Sequence, residues 1–148
     1  MQGPKLGAGS LDGSGCQILS WVQEQLAGDV RQIYSTSQAF AALKGDGSVV
    51  TWGKRTMGGD SSAVQEQLAG DVEHIYSNFS SFAAVKGDGS VVCWGWNSSL
   101  MPIRGEARSL RRGDVSCIYS ALDAFAAVTN DADVVIWGQQ YDHWQPGI

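Results

Sequence analysis

The segment QIYSTSQAFAALKGDGSVVTWG, Gln32–Gly53, returns as HIYSNFSSFAAVKGDGSVVCWG at His74–Gly95 and, more diverged, as CIYSALDAFAAVTNDADVVIWG at Cys117–Gly138. The closing tryptophans, Trp52, Trp94 and Trp137, are spaced by 42 and 43 residues. Upstream, VQEQLAGDV stands at Val22–Val30 and again, unchanged, at Val64–Val72. The extra residue of the third copy falls in Leu110-Arg111-Arg112-Gly113, where the earlier copies read Leu-Ala-Gly. A fixed period of this length marks a repeat architecture, in which each unit buries its apolar faces against its neighbours. The chain therefore divides into an atypical leader (1–21), three repeats over 22–138 (22–53, 64–95 and 106–138, with linkers) and a tail (139–148).

Within each unit the hairpin is the firmest local signal. AFAAL is a continuous apolar run followed by KGDGS and then VVTWG. Asp46-Gly47 and Asp88-Gly89 supply the positive-φ position of a tight β-turn, flanked by β-branched and aromatic residues. Between Ser37 and Gly45 the alanine-rich run is too short for a helix, so it reads as a strand covered on both faces. Its small side chains let neighbouring sheets approach closely. A preceding strand is read at Arg31–Ser35, Glu73–Ser77 and Ser116–Ser120, each containing Ile-Tyr-Ser. Before it stands either a two-turn helix or an irregular loop. Ser20 and Ser62 are the candidate N-caps, with Gln23 and Gln65 three residues on, and Gly28 and Gly70 are placed to terminate it. Val22/Leu26 and Val64/Leu68 would then face the core. A fourth strand has room in the linker after each Trp. The Trp-Gly pair reads as packing: Trp buries a large surface, and Gly allows a sharp exit from the strand.

Composition fits this picture and excludes several functions. The 148 residues carry 10 Lys+Arg against 15 Asp+Glu, a net charge of −5. Binding to nucleic acid or an anionic membrane needs a positive field, so neither partner is expected. With 43% hydrophobic and 17% charged residues the chain is globular rather than disordered. Nineteen glycines and six tryptophans point to β-structure with many tight turns. The opening MQGPKLGAGSLDGSG has no apolar core like that of a secretory signal, and no run approaches the length of a membrane span. Cys16, Cys93 and Cys117 form no C-x-x-C pair. The expectation is an intracellular protein, cytoplasmic or nuclear, with free thiols. The sequons at Asn78 and Asn97 then have no glycosylation role.

The run from Ile33 to Gly53, with its Ala-Leu, Asp-Gly turn and terminal Trp-Gly in that order, resembles the repeat of the regulator-of-chromosome-condensation family. The resemblance extends from about Val22 to Gly138 and recurs in register three times. It implies a β-propeller with radially arranged blades of four strands. Members of the family act as guanine-nucleotide exchange factors, ubiquitin-ligase targeting domains, chromatin-docking platforms or enzyme inhibitors, so the fold leaves function open. The family repeat is usually longer and often has a His before the Ala-Leu, where this chain reads Ala39-Phe40-Ala41, Ser81-Phe82-Ala83 and Ala124-Phe125-Ala126. Ala132 stands where Gly47 and Gly89 do, which predicts a different third turn with Asn130 in the left-handed position. A Trp-Asp-type propeller repeat has a similar period, but here the pair is Trp-Gly. The expected fold is all-β with short helices at most: a partial β-propeller of about three blades of antiparallel sheet. Closure takes roughly four to eight blades. Three units thus form an arc, whether as part of a longer repeat protein, a self-assembling partial ring or an open solenoid. Its exposed end blades predict self-association.

No catalytic constellation stands out, so the chain is read as a non-enzyme without cofactor or metal. His74 falls where the sister copies have Gln32 and Cys117, and His143 lies in the tail. There is no G-x-S-x-G elbow. Gly7-Ala8-Gly9 and Gly13-Ser14-Gly15 lack the spacing of a phosphate loop, and no Ser or Thr follows Gly53-Lys54. Asp46 and Asp88 are turn formers. Lys44-Gly45-Asp46 matches an integrin-ligand tripeptide, but its return as Lys86-Gly87-Asp88 favours a turn. One asymmetry remains: Arg104, Arg108, Arg111 and Arg112 cluster in the third linker of an otherwise acidic protein. This is either a solvated loop or a docking patch for an acidic partner, a role that suits the forked donors of Arg. The functional expectation is a protein-interaction scaffold. The alternatives are a small-GTPase exchange regulator, a ubiquitin-ligase targeting module or an inactive fragment.

Overall fold

The computed structural model describes residues 20–96 and 114–138. The tail, most of the leader and the arginine-rich linker lie outside the described residues. A six-residue helix, α1 (Ser20–Gln25), precedes three sheets: β1 (Val30–Ser35), β2 (Ala39–Lys44) and β3 (Val49–Gly53); β4 (Val72–Ser77), β5 (Ser81–Lys86) and β6 (Val91–Gly95); β7 (Val115–Ser120), β8 (Ala124–Thr129) and β9 (Val134–Gly138). Each sheet is an antiparallel meander with its alanine-rich strand in the middle. Where a fourth strand had room, the first linker instead forms 3-10 turns at Arg55–Met57 and Ser62–Val64. Among the described residues every blade has three strands.

Register repeats from blade to blade. Phe40 pairs with Trp52, Phe82 with Trp94 and Phe125 with Trp137. The paired rings stack at centroid distances of 5.4, 5.2 and 5.5 Å. A bulge recurs at the start of each first strand, between Val30 and Gln32, Val72 and His74, and Val115 and Cys117. It leaves one residue unpaired, so the apolar side chains before and after it can share a face. The glycines after the three tryptophans turn the chain out of the sheet at φ values of 108°, 116° and 138°.

The core lies between sheets. Alternation along β5 sends Phe82 and Ala84 toward the first sheet and Ala83 toward the third, so the middle sheet is buried on both faces. Phe82 and Trp94 pack with Ala39, Ala41 and Leu43 of the first sheet, and Leu68 of the linker joins the same cluster. Phe125 and Trp137 repeat that arrangement with Ala83. The indole Nε1 of Trp94 donates to the Gly58 carbonyl at 3.1 Å, which ties the linker over the aromatic pair. On the first sheet, Val22 of α1 packs with Ala42, Val50 and Trp52, and Leu26 packs against the same cluster.

Two details correct the sequence reading. The left-handed residues that end the α1 turn and its counterpart are Asp29 (φ 64°) and Asp71 (φ 65°), not Gly28 and Gly70. Each Asp carbonyl accepts the N–H of Gly45 or Gly87 at the neighbouring hairpin, at 2.7 and 2.8 Å, and that tie places the bend one residue later. Ser62, expected as an N-cap, lies inside a 3-10 turn and donates its N–H to the Asp60 carboxylate at 3.0 Å.

The third hairpin turn also differs from expectation. Ala132 itself takes φ 68°, in the place of Gly47 at 84° and Gly89 at 80°. Hydrogen bonds from Thr129 N–H to the Asp133 carbonyl (2.9 Å) and from Ala132 N–H to the Thr129 carbonyl (2.9 Å) close it as the Lys44–Ser48 turn is closed. The register of β8 on β9 dictates the turn, and alanine complies at a steric cost. Leaving a left-handed alanine relieves about 1–2 kcal/mol. Extra glycine freedom in the unfolded chain takes back about 0.5–1 kcal/mol. Ala132→Gly is therefore expected to stabilise the protein by up to about 1.5 kcal/mol in urea unfolding. Gly89→Ala in the matching turn should destabilise it.

Candidate functional site

The two ends of the blades differ in chemistry. At one end lie the first loops of each sheet, 36–38, 78–80 and 121–123, joined in series by backbone hydrogen bonds. Ser37 N–H donates to the Phe79 carbonyl at 3.0 Å, and Phe79 N–H donates to the Leu122 carbonyl at 3.1 Å. Ser37, Phe79 and Leu122 occupy the same position of successive copies, so one backbone arrangement presents three different side chains. Phe79 and Leu122 are exposed. Trp96, also exposed, is held beside them: its N–H donates to the Ser80 carbonyl at 3.0 Å, and the Ser81 hydroxyl donates to its carbonyl at 2.8 Å. Asn78 fixes the loop by accepting the N–H groups of Ser80 and Ser81 at 3.0 and 2.8 Å.

The opposite end is acidic. The hairpin turns bring Asp46, Asp88 and Asp131 to it, and the starts of the first strands bring Asp29, Asp71 and Asp114. Asp46 accepts both the N–H and the hydroxyl of Ser48, at 2.9 and 2.6 Å. Asp88 does the same with Ser90, at 2.9 and 2.6 Å. These serine hydrogen bonds hold both carboxyls below the ordinary value. The turn-former reading of Asp46 and Asp88 thus has a direct geometric basis. Among the described residues no group of three or more His, Cys, Asp and Glu is arranged to hold a metal ion.

Along the first strands runs an aromatic row. His74 is exposed, edge-on to Tyr34 at 5.6 Å and tilted against Tyr76 at 4.5 Å. Burial pushes the Tyr34 phenol up. A hydrogen bond with Cys117 raises that of Tyr119. Cys93 is buried between the second and third sheets, and burial pushes its thiol up to about 12, so it is a packing residue and not a nucleophile. Cys93 and Cys117 are free thiols.

All four sequence-selected arginines, Arg104, Arg108, Arg111 and Arg112, lie outside the described residues, as does His143. No helix of the described residues is long and apolar enough to cross a membrane.

No protein-family model and no curated protein matches the sequence. Solved structures do match. Yeast RCC1 (Prp20) bound to Kap60 aligns with 82% of this chain and 33% of its own, at 21% identity and a TM-score of 0.54. Prp20p from Saccharomyces cerevisiae in a second structure gives the same identity and score over 82% of this chain and 34% of its own. Human WBSCR16 aligns at 18% identity and a TM-score of 0.50, over 78% of this chain and 36% of its own. The fold is a partial β-propeller, with three blades among the described residues. The chain spans about a third of the length of the structures it matches.

Sequence reasoning missed Phe79, Leu122 and Trp96. The available signal was a contrast between copies, since the position reads Ser, Phe and Leu while the Phe–Trp pair is repeated.

The depressed carboxyls of Asp46 and Asp88 give a pH dependence of known sign. Their folded values lie below the ordinary 3.8, so their contribution to stability is complete above that value and is lost as pH falls through the depressed ones. Carboxyl NMR titration of Ser48→Ala and Ser90→Ala is expected to move Asp46 and Asp88, respectively, upward. An unchanged titration would show that the serine contacts do not govern these groups.

Proposed function

We propose that this protein is an interaction scaffold of the regulator-of-chromosome-condensation type, holding a protein partner at the loop end of its blades. One observation carries the reading. Hydrogen-bonded loops of equivalent backbone present Ser37, Phe79 and Leu122, whereas the stacked Phe–Trp pairs recur unchanged. Residues that repeat serve the stack. Exposed residues that differ on a constant backbone are free to serve recognition, and exposed aromatic and aliphatic groups mark such surfaces. The linker bearing Arg104, Arg108, Arg111 and Arg112 follows Trp96 directly in sequence, and its charge suits an acidic region of the same partner. The free thiols Cys93 and Cys117 favour an intracellular setting.

Prp20p has described binding to Gsp1p and histones, and this fold-level likeness supports exchange activity on a small GTPase as the alternative. Release of labelled GDP from a panel of small GTPases separates the two, because acceleration favours exchange.

Two variants test the scaffold reading by cross-linking capture from the source cells. Phe79→Ser combined with Trp96→Ser and Leu122→Ser is expected to cut recovery of the main captured protein at least tenfold. Changing the four arginines to Ser should lower recovery and flatten its salt dependence. Capture that survives the first variant would reject the loop end as the binding surface.

A further inference from the structure

The loops at the apolar end have largely spent their backbone donors. Ser37 and Phe79 give their N–H groups to the next loop, and Asn78 takes those of Ser80 and Ser81. Lys54 and Trp96 give theirs to the Gln38 and Ser80 carbonyls, at 2.8 and 3.0 Å. A ligand arriving there meets side chains rather than a cradle of amides.

Lys54 and Trp96 hold the same position in successive copies, each one residue after the glycine that leaves the sheet. Two rows of side chains therefore cross this end: Ser37, Phe79 and Leu122, and beside them Lys54 and Trp96. Their chemistry changes from blade to blade. The first blade carries Lys54 and Arg55, both exposed. The second and third carry the exposed Phe79, Trp96 and Leu122, with the half-buried Asp123 beyond them. Arg55 Nη2 lies 3.2 Å from an Asp60 oxygen, but the Arg55 side chain is 85% exposed and the same carboxylate also accepts the Ser62 N–H. Its guanidinium thus keeps donors facing water.

The other cations of the described residues lie elsewhere. Lys44 and Lys86 flank the hairpin turns at the opposite end, and Arg31 stands near the start of β1. That opposite end also gathers Asp29, Asp46, Asp71, Asp88, Asp114 and Asp131. An acidic ligand is therefore repelled from the hairpin end and drawn to Lys54 and Arg55.

We propose that the loop end takes a linear peptide segment that is acidic on one side and apolar on the other. Its carboxylate sits on Lys54 and Arg55, and its apolar side chains lie along Phe79, Trp96 and Leu122. The inference rests on the loop-end reading above and adds the ligand's chemistry and direction, the acidic group lying on the first-blade side, away from Asp123. A linear segment suits a strip that offers one or two side chains per blade. An anionic membrane suits it less, because two cations on a chain of net charge −5 make a weak positive field.

The test titrates the full chain with fluorescent pools of short synthetic peptides. All share two apolar positions, Leu or Phe, and differ in a flanking position filled by Glu, Gln or Lys. At low salt the Glu pool is expected to bind about five- to tenfold more tightly than the Lys pool, and added salt narrows the gap. Lys54→Glu together with Arg55→Glu should make the Lys pool the tighter binder, a reversal that an unfolded variant cannot give. No binding by any pool, equal binding of the Glu and Lys pools, or a preference that survives the reversal would each overturn the proposal. Phe79→Ser with Trp96→Ser should weaken every pool. Weakening without a charge preference would reject the acidic ligand and leave the loop end as the binding surface, whereas binding untouched by that variant would reject the loop end itself. Phosphatidylserine vesicles run in parallel, and capture of vesicles without peptides would overturn the proposal in favour of a lipid surface.

Discussion

Stacking of one blade's aromatic pair onto the preceding blade's alanines is the contact on which the rest of the molecule depends. A three-stranded sheet with apolar residues on both faces cannot hide them by itself. Phe82 and Trp94 need Ala39 and Ala41 opposite them, just as Phe125 and Trp137 need Ala83. The alanines matter because they are small: a larger side chain there would lift the aromatic pair away from the sheet and open a void. Antiparallel register brings Phe and Trp side by side, and the bulge at the head of each first strand sets which side chains join them. Local hydrogen bonds then serve the stack. Trp94 secures the linker through Gly58, and Asp29 and Asp71 secure the hairpin turns.

This arrangement separates the requirements of folding from those of recognition. The interior repeats its Phe–Trp pair and its two central alanines in each copy, so the loops that connect the strands are positioned alike whatever they display. Ser37, Phe79 and Leu122 can differ because their backbones, not their side chains, make the joining contacts. The acidic end is constrained more tightly. Asp46 and Asp88 are engaged with the serines two residues on, which makes their carboxylates part of the turn.

How much could be read from sequence follows the same division. The strands, hairpins and buried tryptophans were legible because period, turn chemistry and apolar runs agreed. Ala132 was misread because turn preference was weighed alone, while pairing of β8 with β9 fixes the turn whatever residue occupies it. The bend at Asp29 was placed one residue early because glycine is the usual left-handed residue, and the bond to Gly45 is invisible in a linear pattern. The identical VQEQLAGDV segments are instructive too. The first lies partly in α1, whereas the second starts at the last residue of the Ser62–Val64 3-10 turn, so one string of residues takes two local forms. The loop-end residues escaped notice because no local rule marks them. They differ from their counterparts only by comparison, and their exposure depends on how the sheets are placed.

The bond from Trp94 to Gly58 and the close packing of Phe82 under the same linker have a genetic consequence. The second unit is tied to the connector that precedes it, so a DNA segment spanning that linker and its sheet encodes its own junction. Unequal crossing-over within such a gene could lengthen or shorten the array by whole units without disturbing the surfaces at its extremities. The unaltered nine-residue segment shared by Val22–Val30 and Val64–Val72 is the kind of trace that such an exchange leaves behind.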